Sequence, residues 1–310
     1  MTTLTSILQC PVCRGRLDIG TKTRCKQCGR QFLEAAGYPV LIDFADSICT
    51  PEHHAAATGA EAPEIKKGGR IGRFLSRLTF GPNHVAGRNV ERFLQLARSN
   101  SPEPMILVVG GGTIGSGMEM LYEAEGIRVV GSDIYASPNI EIICDGHKLP
   151  FLDESFDGVI VQAVLQHVLD PRQVVDEIHR VLKTNGVVYA ETAFIQQVCM
   201  KAYDFTRFTL AGHRWLFRSF SEIDAGPIFG PSIALLWSIN YFVKSFTDSN
   251  KVAAVVTAPF FWLRVLDKYA KIGPSIDAAS AVFFLGTKSD RSLRANEMPG
   301  YYLRHRSNAS

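Results

Sequence analysis

The sequence predicts an α/β protein, a doubly wound and mainly parallel sheet preceded by a small cysteine-bearing unit. Three observations lead there. Apolar, strand-like runs alternate with helical periods between residues 105 and 191. A glycine-rich turn, GGGTIGSG, follows the first of those runs. Two Cys-x2-Cys pairs stand within the first 28 residues. Repeated β-α-β alternation with apolar strands places crossover helices on both faces of a parallel sheet. With 310 residues the chain has room for one large domain and a small one.

The small unit spans residues 1–44. Cys10 and Cys13 form the first pair and Cys25 and Cys28 the second, with eleven residues between the pairs. Two such knuckles present four thiolates with the spacing of a tetrahedral Zn²⁺ site. Four cysteines leave no open position for water, so the ion expected here is structural. A unit this small buries too little apolar surface to fold well alone, and the metal supplies the difference. Cys49, Cys144 and Cys199 are unpaired in sequence and read as packing residues.

Residues 45–80 read as a linker rich in Ala, Pro, Gly and His, ending in a short basic amphipathic helix over 70–80, RIGRFLSRLTF. Basic residues crowd this region, from Lys66 to Arg98, yet the net charge of the whole chain is only +3. That balance gives no strong pull toward nucleic acid, and the cluster reads as a solvated face.

The large domain is expected over 81–290. Residues 89–97 read as a helix. Strands are expected at 105–109, 128–133, 140–144, 156–162 and 187–191. Between the last two, PRQVVDEIHRVLK (171–183) is a helix with Pro171 in its first turn and Val174, Val175, Ile178, Val181 and Leu182 on one face. A final strand is expected at 281–288, and an unusually apolar insertion at 231–275 precedes it. The tail 291–310 is polar and is expected to be disordered. No apolar stretch reaches the roughly 20 residues of a membrane span, and the N-terminus does not read as a secretory signal; the chain is expected to be cytoplasmic.

Gly110, Gly112 and Gly115 fit Gly-x-Gly-x-x-Gly, and Asp133 ends the second strand about 20 positions on. Nicotinamide and S-adenosylmethionine sites share both features. The residues after Asp133 separate the two. The run from Asp145 through LPF (149–151), SFD (155–157), VLQHV (164–168), Asp170-Pro171 and Glu177 to RVLK (180–183) and Gly186 resembles the class I S-adenosylmethionine-dependent methyltransferases. The resemblance covers about residues 85–290. It implies a seven-stranded, Rossmann-like sheet, with Gly110 and Gly112 around the methionine part of the cofactor and Asp133 on the ribose. It also implies Asp145 and the amide of Gly146 at the adenine and Gln162 near the methionine end or the acceptor. Two positions depart from the family: Val108 stands where an acidic residue is usual, and Ile114 where the third glycine is usual. Weakened cofactor binding is the expectation from these two. Residues 5–44, ending in Gly37-Tyr38-Pro39-Val40-Leu41, resemble the zinc-ribbon-like partner subunits of tRNA and protein methyltransferases. That likeness implies a docking or stabilising module.

Methyl transfer is an in-line displacement, so positioning carries most of the catalysis and a base is needed only where the nucleophile must lose a proton. His167, Asp204 and His213 are the candidate bases; Asp204 and Arg207 read equally well as a structural ion pair. The expected acceptor is a small molecule or a saccharide. An RNA methyltransferase and a non-catalytic binding protein are the alternatives. The apolar segments 232–246 and 252–272 read as helices that cover the sheet or form a homodimer face. Their sharper reading is a peripheral membrane patch at the inner surface, with Arg264, Lys268 and Lys271 on its polar side.

Overall fold

The computed structural model describes residues 4–20, 22–52 and 81–307. The basic helix expected at 70–80 and most of the expected linker lie outside them.

In chain order, β1 (Leu17–Asp18) and β2 (Arg24–Cys25) form a small ribbon around the cysteines, and β3 (Leu33–Ala35) and β4 (Tyr38–Leu41) form a hairpin. Helix α1 (His84–Asn100) leads into β5 (Met105–Val109), the short α2 (Glu119–Glu123), β6 (Arg128–Asp133), β7 (Ile142–Cys144) and β8 (Phe156–Gln162). Then come α3 (Pro171–Val181), β9 (Leu182–Ala193), α4 (Leu210–Leu216) and β10 (Phe220–Phe229). The insertion supplies α5 (Pro231–Thr247), α6 (Asn250–Thr257), α7 (Leu263–Leu266) and α8 (Ile272–Asp277), before β11 (Ala281–Lys288) and α9 (Met298–Ser307).

The strands from β5 to β11 make the seven expected, in the order β10-β11-β9-β8-β5-β6-β7. Strands β7, β6, β5, β8 and β9 are parallel, and β11 runs antiparallel between β9 and β10. The sheet does not stop at β7. The hairpin of the cysteine unit extends it to nine strands, β4 pairing parallel to β7 through Val40–Ile143 and Leu41–Cys144.

Alternation along the strands divides the core. Ile106, Ile160, Tyr189 and Phe283 point to one face and pack against Val90, Phe93 and Leu94 of α1. Leu107, Val159, Val161 and Phe284 point to the other, against Val174, Val175 and Ile178 of α3 and Phe217. Ile7, Leu8, Cys10 and Phe32 of the cysteine unit join that second cluster. Helix α3 starts as read: Asp170 accepts from the amides of Arg172 and Gln173, and Pro171 occupies the first turn.

Three readings are corrected. The chain stays folded past residue 45, where the linker was expected: a 3₁₀ turn covers Phe44–Asp46, and Cys49 packs with Val40, Ile42 and Ile143. The tail is not disordered over 298–307. There α9 buries Tyr301, stacks it near His305, and ties down through His305–Glu222 and Arg306–Asp277. One buried tyrosine and two ion pairs hold a segment whose composition alone reads as solvated. Cys199 is exposed instead of packed, unlike the buried Cys49 and Cys144. Among the described residues no helix is long and apolar enough to cross a membrane.

Candidate functional site

The order β6-β5-β8 reverses the winding at β5, and ligands of doubly wound sheets bind outside the carboxyl ends of the strands at such a switch point. A cavity of about 970 Å³ opens there. Gly110, Asp133, Asp145, Gly146 and Gln162 all line it, from the ends of β5, β6, β7 and β8.

The turn after β5 explains its glycines. Gly110 has φ of +74°, and a Cβ there would stand 2.1 Å from Val164 Cγ2. A Cβ on Gly112 would stand 2.7 Å from Asp133 Oδ2 and 2.6 Å from the Tyr135 ring. Gly112 is not itself a wall of the cavity; its amide donates to Asp133 Oδ2 at 2.8 Å and so orients that carboxylate. Burial pushes the Asp133 carboxyl up to about 6, against the amides of Gly112, Ile134 and Tyr135, which lower it. Of the two departures from the family pattern, Val108 forms part of the cavity wall, whereas Ile114 is 44% exposed and outside it.

Asp145 caps the turn after β7. Its carboxylate accepts from the His147 amide at 3.0 Å, lies 2.6 Å from His147 Nδ1, and accepts from Ser47 Oγ. Burial alone would raise its pKa; His147 and Ser47 outweigh burial and lower it. Ser47 belongs to the segment that leaves the cysteine unit, and Ile48, Cys49 and Glu52 of that segment line the cavity. The sequence carries no sign of this.

His167, Gln166, Gln196, Cys199, Met200 and Tyr203 line the same cavity. His167 Nδ1 lies 2.8 Å from the Tyr203 carbonyl, which can only accept, so Nδ1 carries the proton and the lone pair sits on Nε2. Gln166 Nε2 is 3.2 Å and Cys199 Sγ 3.8 Å from that nitrogen. Burial lowers the pKa of His167.

The other two candidate bases fare differently. Asp204 has a fully buried carboxylate held by Arg207 and by the Cys199 amide. Burial would raise its pKa, but Arg207 and that amide outweigh it and hold it near about 2. It stands in an ion pair with Arg207. His213 is buried between Phe208 and Phe217, outside the cavity, and burial takes its pKa down to about 3. Glu191, at the end of β9, lines the cavity and is absent from the residues that sequence reasoning singles out; a lone acid inside an apolar strand is its only signal.

In the cysteine unit, the Sγ atoms of Cys10, Cys13, Cys25 and Cys28 all lie within 4.8 Å of one another, a donor set that fits a tetrahedral Zn²⁺. In the described part of the basic cluster Arg92 pairs with Asp224, and Arg98 donates to the Glu125 carbonyl.

Residues 107–190 match the family model described as a methyltransferase domain. The chain is 28% identical over 177 residues to the demethylmenaquinone methyltransferase of Lysinibacillus sphaericus, covering 56% of this chain and 70% of that protein. It is 34% identical over 105 residues to the demethylmenaquinone methyltransferase of Clavibacter sepedonicus, spanning 33% of this chain and 40% of that one. Among solved structures it is similar to Haemonchus contortus phosphoethanolamine N-methyltransferase 2 in complex with S-adenosyl-L-methionine. There the TM-score is 0.44 at 18% identity, over 73% of this chain and 59% of that one.

Proposed function

We propose that this chain, an S-adenosylmethionine-dependent methyltransferase, methylates a small, apolar acceptor of the demethylmenaquinone kind. The observation that carries the reading is the shared cavity at the switch point. Its walls hold Asp133, Asp145 and the Gly110 turn together with His167 and the largely apolar segment 196–203. Its volume of about 970 Å³ lies at the upper end for a small-molecule site, room for a cofactor and an acceptor. The reading places Gly110 at the methionine part of the cofactor, Asp133, oriented by the Gly112 amide, on the ribose, Asp145 and the Gly146 amide at the adenine, and Gln162 at the methionine end. The bound cofactor supplies an electrophilic methyl group on sulfur. The protein holds the acceptor in line with that methyl, excludes water with Met200, Val164 and Val168, and takes the acceptor's proton at His167 Nε2. Two demethylmenaquinone methyltransferases among the relatives support an apolar acceptor over a saccharide. Transfer of labelled methyl to a demethylated quinol, compared with saccharide fractions, tests this. Label in the saccharides alone removes the apolar acceptor, and no calorimetric binding of millimolar cofactor removes the enzyme reading.

Asp133 sets a pH test. Only the ionised carboxylate accepts from both ribose hydroxyls, and its pKa is raised to about 6. Cofactor affinity therefore rises as pH climbs through about 6 and levels above it. Asp133→Asn weakens binding about tenfold to a hundredfold and flattens this limb. Calorimetric titrations from pH 5 to 8 read both effects; an unchanged slope in the variant assigns the titration elsewhere.

The acceptor reading extends to the insertion. Leu235, Phe242 and Phe246 form one exposed stripe of α5, Phe246 being 77% exposed, and Trp262 and Tyr269 are exposed beyond it. Exposed Lys251, Lys268 and Lys271 accompany them. Helix α5 is tied to the cavity wall, Tyr241 donating to the Val198 carbonyl at 2.5 Å and Gln197 to Ser238 Oγ at 3.2 Å. Aromatic and aliphatic side chains with a lysine fringe suit an anionic bilayer surface, from which a lipophilic acceptor enters. The protein is expected to float with phosphatidylglycerol vesicles but not with phosphatidylcholine ones, and Phe246→Glu with Tyr269→Glu to abolish flotation. A dimer in sedimentation that the same pair of changes dissociates, with no flotation, assigns the face to self-association.

A further inference from the structure

We infer that the Glu191 carboxylate is a cation-binding group that receives an onium centre of the methyl donor, the α-ammonium or the sulfonium. This rests on the cofactor reading above and adds a residue to it.

The charge around the cavity is one-sided. Glu52, Asp133, Asp145 and Glu191 line it, and no lysine or arginine does among the described residues. Three of these acids are accounted for or differ from the fourth. Asp133 is held by backbone amides and Asp145 by His147 and Ser47, while Glu52 sits on the segment that enters from the cysteine unit. Glu191 is 6% exposed, and among the described residues the groups that donate to it are neutral. Tyr189 Oη donates to its Oε1 at 2.5 Å, from its own strand. Gln162 Nε2, from β8, and Asn83 Nδ2, from the cap of α1, donate to Oε2 at 3.0 and 3.1 Å. Gln162 also donates to the Ser116 carbonyl at 3.2 Å, which joins the carboxylate to the glycine turn.

A buried carboxylate without a cation is expensive even when hydrogen-bonded, and burial accordingly raises the pKa of Glu191. Its hydrogen bonds fix its direction, and a cationic ligand in the cavity supplies the missing counter-charge. β5 offers no competing acid, because Val108 fills its place in the wall. A purely structural role, tying α1 to β8, would leave the same three hydrogen bonds, so the test must separate charge from scaffold.

The full chain is titrated calorimetrically with S-adenosylmethionine, S-adenosylhomocysteine and 5′-methylthioadenosine, which share the adenosine part. The third has neither the ammonium nor the sulfonium. Glu191→Gln is expected to weaken S-adenosylmethionine about tenfold to a hundredfold and to leave 5′-methylthioadenosine within about twofold. Equal weakening of S-adenosylhomocysteine assigns the carboxylate to the ammonium, and an unchanged value assigns it to the sulfonium. Should Glu191→Gln fail to fold, the pair Gln162→Glu with Glu191→Gln, which keeps one carboxylate in the network, is expected to bind S-adenosylmethionine far better than 5′-methylthioadenosine. Equal weakening of all three ligands, unchanged binding of S-adenosylmethionine, or no preference in the double variant overturns the inference. An unaltered chain that binds none of the three overturns the cofactor reading instead.

Discussion

Chelating the zinc ion that we propose the four-cysteine cluster holds, or replacing Cys25 by Ser, is expected to lower the melting temperature of the whole chain by about 10 °C or more. The reason is how the unit is joined to the large domain. Structural zinc contributes on the order of 10 kcal/mol in small metal-dependent folds, and a domain of this size loses about 2–4 °C per kcal/mol. If only the ribbon of β1 and β2 depended on the ion, most of that would be confined there. Instead Ile7, Leu8, Cys10 and Phe32 share a core with Val159, Val161, Val174 and Ile178. The Gln9 amide donates to the Pro150 carbonyl, and the Leu152 amide to the Ile7 carbonyl. β4 completes the sheet beside β7. Loss of the ion should also weaken cofactor binding, because Ser47 holds Asp145 and Cys49 lines the cavity. Metal content, melting curves with and without chelator, and cofactor titration read the three parts. A fully chelated protein that melts unchanged removes zinc as a structural element.

Replacing His167 by Ala is expected to reduce turnover about a hundredfold to ten-thousandfold while leaving cofactor affinity within about threefold. The proton on Nδ1 is fixed by the Tyr203 carbonyl, which leaves Nε2 as the basic nitrogen of a cavity-lining ring; it accepts from Gln166 Nε2 at 3.2 Å, a bond the acceptor's proton must displace. Burial lowers its pKa below the ordinary value, so the ring is neutral, and competent as a base, throughout the neutral range. At saturating cofactor, activity therefore declines as pH falls through that lowered pKa, and this acidic limb disappears in the variant. Asp204→Asn should act differently, by lowering stability, since its buried carboxylate pairs with Arg207 and holds the Cys199 amide. Single-turnover rates across pH separate the two. A His167→Ala enzyme within tenfold of the parent shows that the acceptor needs no base.

Much of the fold is legible in the sequence because it is local. Strand and helix periods, the Pro171 start, the glycine turn and the cysteine spacing each depend on residues within a few positions of one another, and backbone sterics or ligand geometry constrain them directly. The candidate bases show where such reading stops. His167, Asp204 and His213 look alike as polar residues near one end of the sheet. Packing separates them into a cavity-lining ring, a salt-bridged anchor and an unpaired imidazole among phenylalanines. Glu191 escapes sequence reasoning because an acid inside an apolar strand stands out only when its neighbours are known.

The sequence by itself determined the α/β alternation, the four-cysteine unit, and the acids at the ends of β6 and β7. Only the tertiary structure decided that the small unit is an edge of the large sheet and a wall of the cavity. Strand pairing between β4 and β7, and the hydrogen bond from Ser47 to Asp145, join residues about a hundred positions apart. Such contacts arise from hydrogen-bond partners and apolar faces meeting in space, and no short-range pattern in a single chain records which faces will meet.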